Sequence, residues 1–241
     1  MPNSETSWVL GLTLLALSGT LAVFQVSDLD RLVQAHFYDA DTARWIWDRH
    51  EAWGKAVLYD SARIAVGLYA VGLIFALVVG HRRGWGAFVR KGLWIALLTV
   101  VQLPSLVGGL KKFTNLACPR ATADYGGEVP FIHLFDSRPS ETNVNHQCFP
   151  AGHASGGFAL LALPLLSRSP RRRRLLLAGA LAFGWIIGIY KMLIGDHFLS
   201  HTLVTMLLAW LVVYSLKYAA DRWFPADDGS PVDRLPTRPI G

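Results

Sequence analysis

Residues Leu175–Ile194 read LLLAGALAFGWIIGIYKMLI, an apolar run broken by one charge, Lys191, and preceded directly by Arg171–Arg174. As an α-helix, rising about 1.5 Å per residue, the run is about 30 Å long, the thickness of a bilayer's hydrocarbon core. The arginines before it mark the end that stays at the cytoplasmic surface. Working outward, five further apolar stretches of similar kind occupy Trp8–Val26, Ile64–Gly80, Leu93–Leu110, Ala151–Leu166 and Thr202–Tyr218. The whole chain is 52% hydrophobic and 17% charged, with a mean hydropathy of +0.34, too apolar for an ordinary soluble domain of this length. The expected fold class is therefore all-α: a six-transmembrane helix bundle with short interfacial helices on the non-cytoplasmic side. The fourth stretch opens with Ala151, Gly152, Ala154, Ser155, Gly156 and Gly157, small residues suited to close helix packing. The first has no Lys or Arg before it, only Glu5, and no small-x-small cleavage site after it, so it is expected to be retained as a span. Residues 1–241 read as a single domain with a polar cytoplasmic tail over about 219–241.

The net charge of +6 and pI near 9.5 would suggest a polyanion partner in a soluble protein. Here the basic residues sit in clusters beside the apolar stretches, so they point to topology and to the lipid bilayer as partner, with no nucleic acid. Arg82, Arg83, Arg90 and Lys91 fall between the second and third spans, and Arg168 and Arg171–Arg174 between the fourth and fifth, with no acid in either loop. Both loops are expected in the cytoplasm. That places both termini inside and Ser27–Arg63, Lys111–Pro150 and the turn around Asp196–Ser200 outside. In the first outer segment Leu29, Leu32, Val33, His36 and Phe37 follow helical spacing, and Trp45, Trp47 and Trp53 crowd a second stretch. Such patterns suit helices lying in the interface, where they anchor the protein or form a rim that guides a lipid headgroup.

The two cysteines, Cys118 and Cys148, share one outer loop on the oxidising side, and a disulfide between them is the natural inference. Closing a loop of that size would stabilise it by roughly 3–4 kcal/mol on the chain-entropy estimate.

Three groups of chemistry-bearing residues fall at the same expected face. Lys111, Lys112 and Arg120 flank Cys118-Pro119; Phe149-Pro150-Ala151-Gly152-His153 opens the fourth span; and Lys191 precedes Gly195-Asp196-His197-Phe198-Leu199-Ser200-His201. Ionisable residues at span ends are functional candidates by default, though long side chains such as Lys112 often only reach back to water. Phosphoryl transfer explains the assembly. Arg and Lys neutralise nonbridging oxygens, a helix starting at Gly152 offers backbone N–H groups to the same anion, and two imidazoles divide the roles of nucleophile and acid. No metal and no cofactor is then required.

In order and spacing, Lys111–His201 resembles the type 2 phosphatidic acid phosphatase superfamily, whose pattern is Lys, six residues, Arg-Pro; then Pro-Ser-Gly-His; then Ser-Arg, five residues, His, three residues, Asp. Lys111 matches the first Lys, Pro150, Gly152 and His153 match the second motif, and His197 lies at the right distance after Lys191. The resemblance implies a membrane lipid phosphatase or phosphotransferase in which His197 attacks phosphorus to form a phosphohistidine. His153 would protonate the leaving oxygen, while Lys111, Arg120 and Lys191 hold the phosphate. The implied partner is a phosphorylated membrane lipid, such as phosphatidate, phosphatidylglycerophosphate, a polyprenyl diphosphate or a lipid A phosphate. The implied setting is a bacterial inner membrane with the active site toward the periplasm.

The chain departs from the pattern at Cys118, which stands for Arg with Arg120 two places on, at Ala151 for Ser, at Tyr190-Lys191 for Ser-Arg, and at His201 for the final Asp. Charge survives at Arg120 and Lys191, and the backbone N–H of Ala151 remains as a donor. His201 is the serious replacement, because a neutral imidazole is a weaker partner for an imidazolium than a carboxylate is. A hydrogen bond between His197 and His201 is feasible at helical i, i+4 spacing, and Asp196, Asp124, Glu128 or Asp136 are candidates for the missing charge. Two other readings stay open on residues alone: a catalytically inactive protein that binds or transports lipid, and a metal or haem protein ligated through His153, His197 and His201.

Overall fold

The computed structural model describes residues 4–137 and 146–223. Five helices are long and apolar enough to cross a membrane: α1 (Ser4–Val26), α4 (Ser61–Arg82), α5 (Ala87–Thr114), α7 (Pro170–Leu193) and α8 (Leu199–Trp223). Between α1 and α4 lie a short helix α2 (Leu29–Ala35), a hairpin of β1 (Tyr38–Asp39) and β2 (Arg44–Trp45), and a helical turn α3 (Ala52–Gly54) that runs through a π-helical turn (Lys55–Asp60) into α4. The protein is an all-α bundle, and among the described residues its strand structure amounts to that hairpin and one isolated bridge, Thr122 to Val129.

The expected fourth span is different in kind. It is a 7-residue α-helix, α6 (Gly152–Phe158), continued by 8 residues of 3-10 helix, Ala159–Leu166. The tighter 3-10 winding rises about 2.0 Å per residue, so this short segment still reaches roughly 26 Å along the bundle. It is also the most enclosed element. Phe158, Ala159 and Ala162 are fully buried, together with Leu103 and Val107 of α5 and Ala209 and Val213 of α8. By contrast Trp8 and Leu15 of α1 are 72% and 70% exposed, surface that only a bilayer covers without aggregation. The protein is thus a multi-pass membrane protein whose inner segment is shielded by its longer neighbours.

The small residues expected to permit close packing do so. Gly157 of α6 faces Gly184 of α7, whose Cα lies 2.9 Å from where a side chain on Gly157 would begin. Phe158 lies across Gly184, and Thr202 of α8 lies across Gly188. Without a hydrophobic drive between helices in lipid, such backbone approach supplies much of the association. Gly184→Val is expected to destabilise the bundle by about 1–3 kcal/mol or more through overpacking. A thermal scan of detergent-solubilised protein showing no drop in midpoint would contradict this account of the α6–α7 contact.

At the end distal to the candidate motifs, Asp221 pairs with Lys91 at 2.5 Å and Lys217 at 2.6 Å, and Lys217 donates to Thr6 at 2.8 Å. These contacts fasten α5, α8 and α1 together. Helix α8 stays helical through Trp223; the remainder of the expected tail, 224–241, lies outside the described residues.

The outer segment departs from expectation in an informative way. Helix α2 forms, but it buries Asp30 and Gln34 and leaves Leu32 62% exposed. Leu29, Val33 and Phe37 are half-buried, so the helix places two polar side chains deepest and one leucine outermost. Gln34 donates to the Met192 carbonyl at 2.8 Å. Trp45 is not helical but sits in the hairpin, and its indole covers Gly195, where no side chain would fit. Trp47 stacks on Trp53 with centroids 6.0 Å apart. The tryptophans of this segment therefore include one that packs onto the turn carrying Asp196 and His197.

Candidate active site

The site forms where α5 ends, α6 begins and α7 turns into α8. Asn115 takes a left-handed conformation (φ 43°) that terminates α5 just beyond Lys111. Its side-chain oxygen accepts the N–H groups of His146 and Gln147 at 2.9 and 3.2 Å, drawing the far end of the outer loop back to the helix. Cys118 and Cys148 are joined by the expected disulfide, with Cα atoms 5.2 Å apart, and the Cys148 N–H donates to the Leu116 carbonyl at 2.9 Å. One step further, Thr114 donates to the Phe149 carbonyl at 2.6 Å, before the cis Phe149–Pro150 bond.

Ala151 and His201 are then fastened backbone to backbone. The Ala151 N–H donates to the His201 carbonyl at 3.1 Å, and the Thr205 hydroxyl reaches both the His201 carbonyl (2.8 Å) and the Ala151 carbonyl (3.3 Å). The amide of Ala151, expected to face phosphate, is thus engaged with α8 instead. Just beyond it, the Lys111 Nζ lies over Gly152, 3.2 Å from where a β-carbon would sit. A larger residue there would displace the ammonium.

At the α7–α8 junction Lys191 is buried, and its carbonyl accepts the N–H groups of Asp196 (2.8 Å) and His197 (3.2 Å). Closing that turn requires Gly195 at φ 71°, a conformation costly for other residues. The Gly195 carbonyl in turn accepts the Arg120 N–H at 3.1 Å. The Asp196 carboxylate pairs with the Arg120 guanidinium on one oxygen and with the Lys191 Nζ at 2.9 Å on the other. Asp196 therefore gathers two of the three expected phosphate-binding cations.

His197 is 2% exposed and His201 3%. Their Nδ1 atoms are 3.5 Å apart, and the His153 ring centroid lies 6.1 Å from that of His197. The Nε2 of His197 is buried and, among the described residues, has no hydrogen-bond partner. Burial first, then the fields of His201, Lys111, His153 and Lys191, hold the His197 imidazole neutral, its pKa well below the ordinary value. The fold thus brings Lys111, Arg120, His153, Lys191, His197 and His201 together from distant parts of the chain. Lys112 is exposed and stands apart.

None of the carboxylates considered for the missing charge pairs with His197 or His201 among the described residues. Asp196 serves the cations, Asp124 holds Arg31 at 2.9 and 3.0 Å, Asp136 accepts from Gln25 and from the His133 backbone, and Glu128 is exposed. Nor, among the described residues, do three His, Cys, Asp or Glu side chains converge as metal ligands do.

Sequence reasoning missed Asp30. This buried carboxylate of α2 accepts the N–H of Ser200 at 2.8 Å and its hydroxyl at 2.5 Å, capping α8 from another helix beside His201. Burial raises its pKa to about 6, against the opposing pull of the Ser200 hydrogen bonds and of His133. The sequence signal was available: an acid followed four residues later by Gln34, one helical turn on and so on the same face of α2.

Among known proteins, the family model described as the PAP2 superfamily matches residues 92–225, which include every residue of the assembled site. Comparison with curated proteins and with solved structures finds no match.

Proposed function

Because the chain belongs to the PAP2 superfamily, we propose that it is a lipid phosphatase or phosphotransferase that works through a phosphohistidine on His197. The observation that carries this is the His197 imidazole: its Nδ1 meets His201 while its buried Nε2 has no hydrogen-bond partner among the described residues, beside His153 and within the field of Lys111 and Lys191. A buried, unsatisfied nitrogen is unfavourable unless something fills the space next to it. A phosphoryl group does so.

In the first step the His197 Nε2 lone pair forms a bond to phosphorus as the bond from phosphorus to the lipid oxygen breaks. His153 delivers a proton to that oxygen, so the lipid leaves as an alcohol, or as a lipid monophosphate from a diphosphate. In the second step His153 takes a proton from water, or from an acceptor hydroxyl, whose oxygen attacks phosphorus. The N–P bond breaks and returns its electron pair to His197, and phosphate or a phosphorylated acceptor departs. Lys111, Arg120 and Lys191 offset the charge on the transferring group, which is where such sites gain most of their rate.

The substrate class is a phosphorylated membrane lipid, because the site lies at a bundle end rimmed by outward-facing apolar surface. On the distribution of Arg and Lys in the connecting loops, the site faces away from the cytoplasm, in a bacterial inner membrane toward the periplasm.

The test is phosphate release from labelled lipid phosphates by purified protein reconstituted in vesicles, with excess EDTA present. Turnover of at least one lipid phosphate, unchanged by the chelator, is expected because side-chain cations already surround the phosphate position. Turnover that ceases with EDTA and returns only with one added metal would overturn the metal-independent scheme.

A further inference from the structure

Helices α7 and α8 touch near the candidate active site, where Thr202 lies across Gly188, and part toward the opposite end of the bundle. Between them opens a groove of about 260 Å³. Its floor is the 3-10 segment, in which residues three apart eclipse one another, so that Leu161 and Pro164 form one row. Leu177 of α7 forms one wall, and Trp210 and Tyr214 of α8, stacked with ring centroids 5.5 Å apart, form the other. Arg173 and Arg174, at the start of α7, line its mouth and are exposed. We infer that this groove holds one anionic phospholipid, with an acyl chain along Leu161, Leu177 and Trp210 and the phosphate between the guanidinium groups of Arg173 and Arg174.

The shape and the charge of the groove ask for the same molecule. Trp210 sits about halfway along α8, so the groove runs from the end of the bundle into the depth of the hydrocarbon, where an acyl chain is the material available to fill it. A soluble anion would satisfy the arginines and leave the apolar walls bare. A zwitterionic lipid would cover the walls but bring its own cation to the two guanidinium groups. Among the described residues that line the groove there is no Asp or Glu, and neither Arg173 nor Arg174 forms an ion pair with a described residue. The planar fork of a guanidinium matches phosphate oxygens, and basic pockets between membrane helices suit anionic headgroups. Topology by itself requires positive charge at this end of the bundle, wherever on the loop it sits. It does not require two arginines to share a helix face with Leu177 over an apolar groove. Arg171 and Arg172 lie outside the lining, and the Arg168 guanidinium is engaged elsewhere, over the Phe88 ring of α5 at 4.7 Å from its centroid. The groove and His197 lie at opposite ends of α7, so this inference does not rest on the phosphatase reading.

The test is native mass spectrometry of the full chain, purified in detergent, stripped of lipid and titrated with dioleoyl phosphatidylglycerol or dioleoyl phosphatidylcholine. The two lipids share their acyl chains and differ in headgroup charge, and neither carries a phosphomonoester that turnover would consume. One phosphatidylglycerol per chain is expected, held about 10-fold or more tightly than phosphatidylcholine, the scale set by two arginines at a headgroup. Arg173→Gln combined with Arg174→Gln should bring phosphatidylglycerol down to the phosphatidylcholine level. Arg171→Gln combined with Arg172→Gln removes the same charge from the same helical turn but outside the groove, and should leave the preference in place. All four positions are exposed, so both double variants are expected to fold, which a thermal scan checks. Leu177→Trp fills the groove and should expel the lipid although every arginine remains. Equal loss in the two arginine pairs would show diffuse attraction to the basic loop and overturn the inference. So would equal retention of the two lipids, full retention in a folded Leu177→Trp protein, or a lipid-free dimer, which would mean that a second chain covers the groove.

Discussion

His197→Ala is expected to form no phosphoenzyme, whereas His153→Ala should accumulate one. Both changes should reduce steady-state turnover by roughly 10⁴-fold or more, since groups that act as a unit fail together. The distinction lies in which step survives. Without His197 the proposed nucleophile is gone: the His201 Nδ1 is turned to His197, and the His153 ring, 6.1 Å from that of His197, has the proposed role of proton transfer. Without His153 the nucleophile and its cations remain. A substrate with a good leaving group, such as a nitrophenyl phosphate, can then phosphorylate His197 slowly, but no base is present to activate water. Acid-labile label, quenched under conditions that preserve phosphohistidine, should be found in native protein transiently, in His153→Ala persistently, and in His197→Ala not at all. Label retained by His197→Ala would place the nucleophile elsewhere.

The convergence of the site was legible because its determinants are local and chemical. An apolar run of helical length needs no neighbour to be recognised. Once three spans are threaded in alternating directions, Lys111, His153 and Lys191 must arrive at one membrane face, whatever the packing between them. The disulfide followed from the same topology, since it put Cys118 and Cys148 in one loop. At Gly152, expected to turn its backbone N–H to phosphate, the structure shows a steric feature: Lys111 Nζ lies 3.2 Å from where a β-carbon would sit.

What stayed hidden depends on contacts between segments distant in sequence. Leu29, Leu32, Val33, His36 and Phe37 mark a helix correctly, but the apolar stripe does not say which face meets protein. Asp30 and Gln34 are the residues fully buried, while Leu29, Val33 and Phe37 are half-buried and Leu32 is exposed. The bond from Asp30 to Ser200 spans 170 positions, and no periodicity reports it. Trp45 reads as an interfacial anchor until Gly195 is seen beneath it. Ala151 reads as a phosphate donor until the His201 carbonyl is found to have taken its N–H. The 3-10 winding of Ala159–Leu166 was equally out of reach, because it lets a short, small-residue segment extend between longer helices that only the assembled bundle provides.

Lys191→Met and Asp196→Asn should shift anion binding in opposite directions. Lys191 is 6% exposed and bonds one oxygen of Asp196, while Arg120 pairs with the other. The carboxylate thus holds two of the cations proposed above to bind the phosphoryl group. A phosphate entering beside His197 competes with it for those charges. On the proposed mechanism, removing Lys191 deletes a preorganised positive group beside the transferring phosphoryl, for which a loss of about 10²- to 10³-fold in kcat is the usual scale. It also leaves Asp196 with Arg120 alone, so vanadate, which adopts the five-coordinate geometry of the transferring phosphorus, should bind much more weakly. Asp196→Asn keeps the size of the side chain and its place in the turn but removes the competing charge, so vanadate should inhibit at several-fold lower concentration than in native protein. The check is a pair of vanadate inhibition curves at fixed ionic strength, because exposed charges elsewhere are screened by salt while this buried group is screened far less. If Asp196→Asn weakens vanadate along with Lys191→Met, the carboxylate holds the two cations in place for phosphate, and its competition with the substrate is not the dominant effect.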